Sequence, residues 1–147
     1  MKTIRLFLIF ATLASLATVA RAADRATIQG ILISASSERG ETDRRLAPYE
    51  PTLRRILRFE SYRFLGEDSA TIDVAESGRL ALGNGHELEV STERVDGNSI
   101  HVRVRWSGGG RTLMNTGLVL RAGVPAVLGG PSTGNKGEVH AVILVGR

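Results

Sequence analysis

Cysteine is absent from the 147-residue chain. No disulfide can staple it and no thiolate can bind metal or attack a substrate, so a packed core has to hold the fold. Lysine is nearly absent as well. Past residue 22 the only one is Lys136, and arginine, which suits bidentate anion contacts, carries the rest of the positive charge. Aromatic residues past the same point are Tyr49, Phe59, Tyr62, Phe64 and Trp106. They are too few for a sugar-stacking platform, and Trp106 ends an apolar row that points to a core. No apolar run reaches the length of a membrane-spanning helix: Leu6 to Ala20 covers about 15 residues where roughly 20 are needed.

What is present begins with a targeting segment. Lys2 and Arg5 precede an apolar run that opens with Leu6 to Ala11, and Ala20-Arg21-Ala22 offers the small residues that signal peptidase requires. Residues 1–22 read as a signal peptide cleaved before Ala23. The product is expected to be secreted or periplasmic, with no stable membrane anchor. No cysteine follows the apolar run to take a lipid, and no Arg-Arg pair precedes it to direct a twin-arginine route. Cleavage also changes the charge. The whole chain has 19 Lys+Arg against 15 Asp+Glu, a formal +4; losing Lys2, Arg5 and Arg21 leaves 16 against 15, or +1. So neutral a product carries no nucleic-acid footprint. Residues 23–147 suffice for a single strand-rich domain and not for two.

Periodicity supplies the elements. Ala26–Ser34 is apolar on both faces and reads as a central strand, and Val139–Val145 has the same character. Leu46, Tyr49, Leu53, Ile56 and Leu57 recur at helical spacing, with Pro48 and Pro51 early, where a missing N–H is tolerated. That is the only convincing helix, about ten residues long, with its apolar stripe laid on a sheet. From Glu60 the period is two. Ser61–Leu65 and Ala70–Val74 read as strands parted by Gly66-Glu67-Asp68. Leu80–Leu82, His86–Thr92, Ile100–Trp106, Thr112–Leu120 and Val124–Leu128 follow. Gly117 marks a bulge or a close approach inside its strand. The expected fold class is α+β to mainly β, a largely antiparallel sheet or sandwich of seven to nine strands with one packed helix.

The hairpin joining His86–Thr92 to Ile100–Trp106 allows a sharper expectation. Apolar residues are even-numbered in both strands, and antiparallel partners share a constant sum, so like faces meet only when that sum is even. A two-residue Asp96-Gly97 turn makes it odd. A three-residue Val95-Asp96-Gly97 loop with a G1 bulge makes it even. That loop sets Val90 opposite Val102, Leu88 opposite Val104, Glu89 beside Arg103 and Glu87 beside Arg105.

Chemistry could reside in GGPSTGNKGEVHAV, Gly129 to Val142. Gly130-Pro131-Ser132-Thr133-Gly134 spells the G-x-S-x-G of a nucleophile elbow, and Glu138 and His140 share a strand face close by. In that motif a helix follows the serine and helps hold the oxyanion; here a strand follows. A P-loop fails at Asn135, where its lysine should stand, and at Gly137, where Ser or Thr should. Both glycine clusters are turn chemistry between two strands. A small serine hydrolase using the Gly130–Gly134 turn is nonetheless the enzymatic alternative. His86, His101 and His140 lie on three strands without ligand spacing, so neither a metal nor another cofactor is implied.

The candidate binding residues are Arg54, Arg55 and Arg58. Arg54 and Arg58 share a helix face at i, i+4, and Arg55 lies beside them. Such a surface suits an anionic envelope component or another envelope protein. A solvated face balanced by Glu38, Glu41, Asp43, Glu50 and Glu60 is the plainer reading.

The segments YEPTLRRILRFESYRFLG (Tyr49–Gly66) and TLMNTGLVLRAGVPAVLGGP (Thr112–Pro131) resemble a family of small, uncharacterised exported bacterial proteins. The resemblance implies a helix, a strand and a Gly-Gly-Pro hairpin, and it carries over no activity and no site residue. The expected function is a non-enzymatic binding or assembly module of the cell envelope. Besides the hydrolase, a structural subunit pairing through a sheet edge is a further alternative.

Overall fold

The two segments apolar on both faces occupy the middle of one sheet. The computed structural model describes residues 24–147; the expected signal peptide and its cleavage site before Ala23 lie outside them. β1 (Arg25–Ser36) and β8 (Glu138–Gly146) pair antiparallel, with β2 (Ser61–Asp73) outside the first and β7 (Ala126–Ser132) outside the second. A second antiparallel sheet runs in chain order through β3 (Ser77–Gly83), β4 (His86–Asp96), β5 (Ser99–Gly108) and β6 (Arg111–Arg121). Among the described residues the fold is a mainly β sandwich of eight strands with one helix.

Between the sheets Ile28, Leu32, Val142 and Leu144 meet Leu88, Val90, Val102, Val104 and Trp106, all buried. On its other face the first sheet carries a 3₁₀ turn (Arg44–Leu46) and helix α1 (Glu50–Ile56). Their Leu46 and Leu53 pack with Ile31, Ile33, Ala141 and Ile143. Covered on both sides, β1 and β8 have no solvent face to make polar. The second sheet is covered on one side only, and β5 accordingly alternates between core and surface.

The helix is shorter than its spacing predicts. Leu46 falls in the 3₁₀ turn and α1 ends at Ile56, because Arg58 takes a left-handed φ of +55° that carries the chain out of the helix. Tyr62 fixes this end: its hydroxyl donates to the Leu53 carbonyl and accepts from the Phe59 N–H, each at 3.1 Å. Ile56, expected in the buried stripe, is 47% exposed. The stripe that meets the sheet runs through Tyr49, Leu53 and Leu57 instead.

Three further expectations are corrected. Ser61–Leu65 and Ala70–Val74 are one strand, β2, with a bulge at Leu65. Gly66 is a crossing point rather than a turn residue, since a Cβ there would run into the Leu82 carbonyl. Asp68 ties the crossing, its Oδ2 accepting the Ala81 N–H at 3.0 Å.

The β4–β5 hairpin keeps the expected facing with different partners. Its turn is Gly97-Asn98, with Asp96 opposite Ser99 and Gly97 at φ +59°. That turn alone would set apolar against polar, and a bulge at Glu93 restores the facing. Val90 therefore lies opposite Val104 and Leu88 opposite Trp106. Glu89 meets Arg105 at 3.0 Å, while Arg103 turns to Glu93 at 3.2 Å. Finally, Gly117 keeps regular register and the bulge of β6 falls at Leu113.

Candidate functional site

At one end of the sandwich the two sheets part. On the inter-sheet face of β1 the row Ile28, Leu32 gives way to Ser34 and Ser36, and on β8 the row Leu144, Val142 gives way to His140 and Glu138. The ladder aligns Arg63, Ser34 and His140 in one row and Ser61, Ser36 and Glu138 in the next. The second sheet reaches only as far as its last pair, His86 with Gly108. There the His86 and His140 rings meet with centroids 4.6 Å apart. Past that contact the first sheet has nothing apolar to cover, and its inner face turns polar.

A cleft of about 240 Å³ opens on these polar rows. The strands contribute Ser34, Ser36, Ser61, Arg63 and Glu138, and the loop after β1 contributes Glu38, Arg39 and Glu41. Ser34 is only 6% exposed. Among the described residues none of these five charged side chains takes part in an ion pair. The cleft thus offers guanidinium donors and carboxylate acceptors outside any ion pair, beside the Ser34 hydroxyl; Ser36 Oγ accepts from the Glu38 N–H and Ser61 Oγ donates to the Glu38 carbonyl. The following 3₁₀ turn is fixed by Asp43, whose carboxylate accepts from the Arg45 backbone and side chain. Those bonds hold its pKa down at about 2.

The histidine pair closes the apolar side of the cleft. Trp106, fully buried, donates its Nε1–H to His86 Nδ1 at 2.9 Å, so neutral His86 carries its proton on Nε2. Burial lowers the pKa of both imidazoles; His140 adds to the lowering at His86, whereas Glu138 opposes it at His140. The Trp106 ring lies against Gly130, where a Cβ would run into its Cη2 and Cζ3. The first glycine of G-x-S-x-G is therefore a seat for an indole.

Ser132, Glu138 and His140 do not converge. The Ser132 hydroxyl accepts from the Gly134 N–H at 3.2 Å, and the residue stands opposite Val139. His140 faces His86, and Glu138 lines the cleft. The arginine surface also comes apart. Arg54 is held by Glu50 at 2.9 Å, Arg55 is exposed, and Arg58 lies past the end of α1. Without helical backbone at Arg58 the i, i+4 face does not form. His101 stands on its own strand 3.5 Å from Asp96, and among the described residues no three potential ligands group to hold a metal ion.

Compared with known protein families, curated proteins and solved structures, the chain matches none.

Sequence reasoning missed the cleft. The signal it left is parity: Ser34 and Ser36 continue an apolar even-numbered row in β1, as His140 and Glu138 do in β8. What unites the two rows is the β1–β8 register, which no local pattern encodes.

Proposed function

We propose that this protein is an exported, non-enzymatic binding module of the cell envelope, and that the polar cleft holds its ligand. The lining carries the reading: uncommitted charges of both signs and three serine hydroxyls, most of them fixed on strands of a rigid sheet. A cleft of this size takes a molecule on the scale of one sugar ring or one amino acid. Its donors and acceptors favour a hydroxyl-rich or zwitterionic solute with an anionic group over an apolar one. Arg39 and Arg63 then supply the anion contact in place of Arg54, Arg55 and Arg58. The local bond of the Ser132 hydroxyl and the engagement of His140 with His86 support binding over hydrolysis.

The test is a titration of the isotopically labelled protein with a panel of amino acids, uronic acids and sugar phosphates. Shifts should concentrate on the amides of Ser34, Gly40, Ser61 and Glu138 for at least one class. Arg63→Ala should weaken that binding by roughly tenfold or more, the effect of losing one charge-assisted hydrogen bond. Shifts scattered over the surface, or none at all, refute the assignment.

A further inference from the structure

Three of the four sheet edges are blunted. β7 is seven residues long, and within a register break it carries Pro131, which has no N–H to offer. β3 has its Ala81 N–H taken by Asp68. β2 has its Tyr62 carbonyl taken by the Asp43 N–H at 3.0 Å, and its Gly66 lies against Leu82. β6 has none of these devices. It spans 11 residues, and from Thr112 to Leu120 it holds no charge and no proline. Among the described residues, the backbone of that stretch bonds to β5 alone, apart from the Gly117 carbonyl, which accepts from the adjacent Thr116 hydroxyl at 3.5 Å. Val119, on its outer face, is 55% exposed. A long, uncharged edge is a template for another strand.

From this edge we infer that the protein forms a two-fold dimer in which β6 pairs antiparallel with β6 of a second copy, fusing the two second sheets into one. The side chains define the register. Past the bulge at Leu113, even residues of Met114–Arg121 face the core and odd residues face outward. A two-fold pairing that keeps like faces together must be centred on a residue. Centring on Gly117 opposes two glycines and sets Asn115 against Val119. Centring on Leu118 opposes the two Leu118 side chains and lays Val119 over Gly117, where no side chain stands. It also brings Arg121, which has no ion pair among the described residues, beside the Asn115 amide. Arg111 falls outside the paired stretch, so no like charges meet. This self-complementarity selects a second copy as the occupant, and it is independent of the cleft.

Sedimentation of the purified protein over a concentration series tests it. A monomer–dimer equilibrium is expected, and Val119→Lys should shift it to monomer while leaving the melting temperature of the dilute, monomeric protein unchanged. The chain has no cysteine of its own, so engineered thiols report register cleanly. Facing Cα atoms in an antiparallel pair lie about 4.5–5.5 Å apart, within disulfide reach. Oxidising a mixture of Asn115→Cys and Arg121→Cys copies should give a mixed disulfide dimer that neither variant forms alone. A protein monomeric at every concentration, or a dimer indifferent to Val119→Lys, overturns the proposal. Self-linking of Gly117→Cys in place of the mixed pair overturns the register.

Discussion

His86 and His140 resist protonation in the folded protein because each loses water in the gap between the sheets. Both titrate below the ordinary 6.5, so the unfolded chain binds the protons more readily. The stability linked to the pair is therefore complete above that pH and is lost as the pH falls through the folded values. Protonated His86 would leave the buried Trp106 N–H without its acceptor and set two cations ring to ring. Glu138 is the acid that offsets this at His140, and Asp43, held at about 2, stays ionised throughout the window. The melting temperature should fall between about pH 7 and about pH 5, and His140→Gln should flatten that slope. Equal slopes in the two proteins would assign the acid sensitivity to other groups. Some of this was legible residue by residue: Trp106 reads as core from its even row. Its partner His86 begins the neighbouring strand, and only the hairpin register brings the indole N–H to Nδ1.

Elements were legible where a period repeats and illegible where one residue breaks it. The even-numbered rows of β4 and β5 settle which side chains face the core. They leave the partners open, because a turn of the wrong parity followed by a bulge gives the same facing as a turn of the right parity. Nothing in the type of Glu93 marks it as the extra residue. Gly66 misled for a related reason: a glycine between two apolar segments suits a turn and a close crossing equally, and the Leu82 carbonyl that decides between them belongs to another strand. The salt bridges provide the check. A double-mutant cycle on Glu89 and Arg105 should give a coupling of about 0.2–1 kcal/mol, and one on Glu89 and Arg103 should give none. The reverse result would restore the three-residue loop.

At the scale of the whole molecule, composition reached which two strands lie inside one sheet and left the strand order open. Only strands covered on both sides dispense with a polar face, so β1 and β8 had to be central. The cleft was out of reach because it depends on where the second sheet stops short of the first. The proposed export has its own measurement: mass spectrometry of protein recovered from the medium or the periplasm should find Ala23 at the amino terminus. Recovery solely as a membrane-bound chain beginning at Met1 would refute it. The pairing of β1 with β8 has a kinetic consequence besides. Ile31 lies opposite Ile143, so the strand that emerges first waits for the one that emerges last. Until then β1 has β2, with which it pairs from Arg25 to Ser36, while its other flank stays open. Closing so long a loop is slow in conformational search. The first sheet consequently keeps an open edge in its middle until β8 arrives, and its most apolar segments are open to aggregation for as long as that wait lasts.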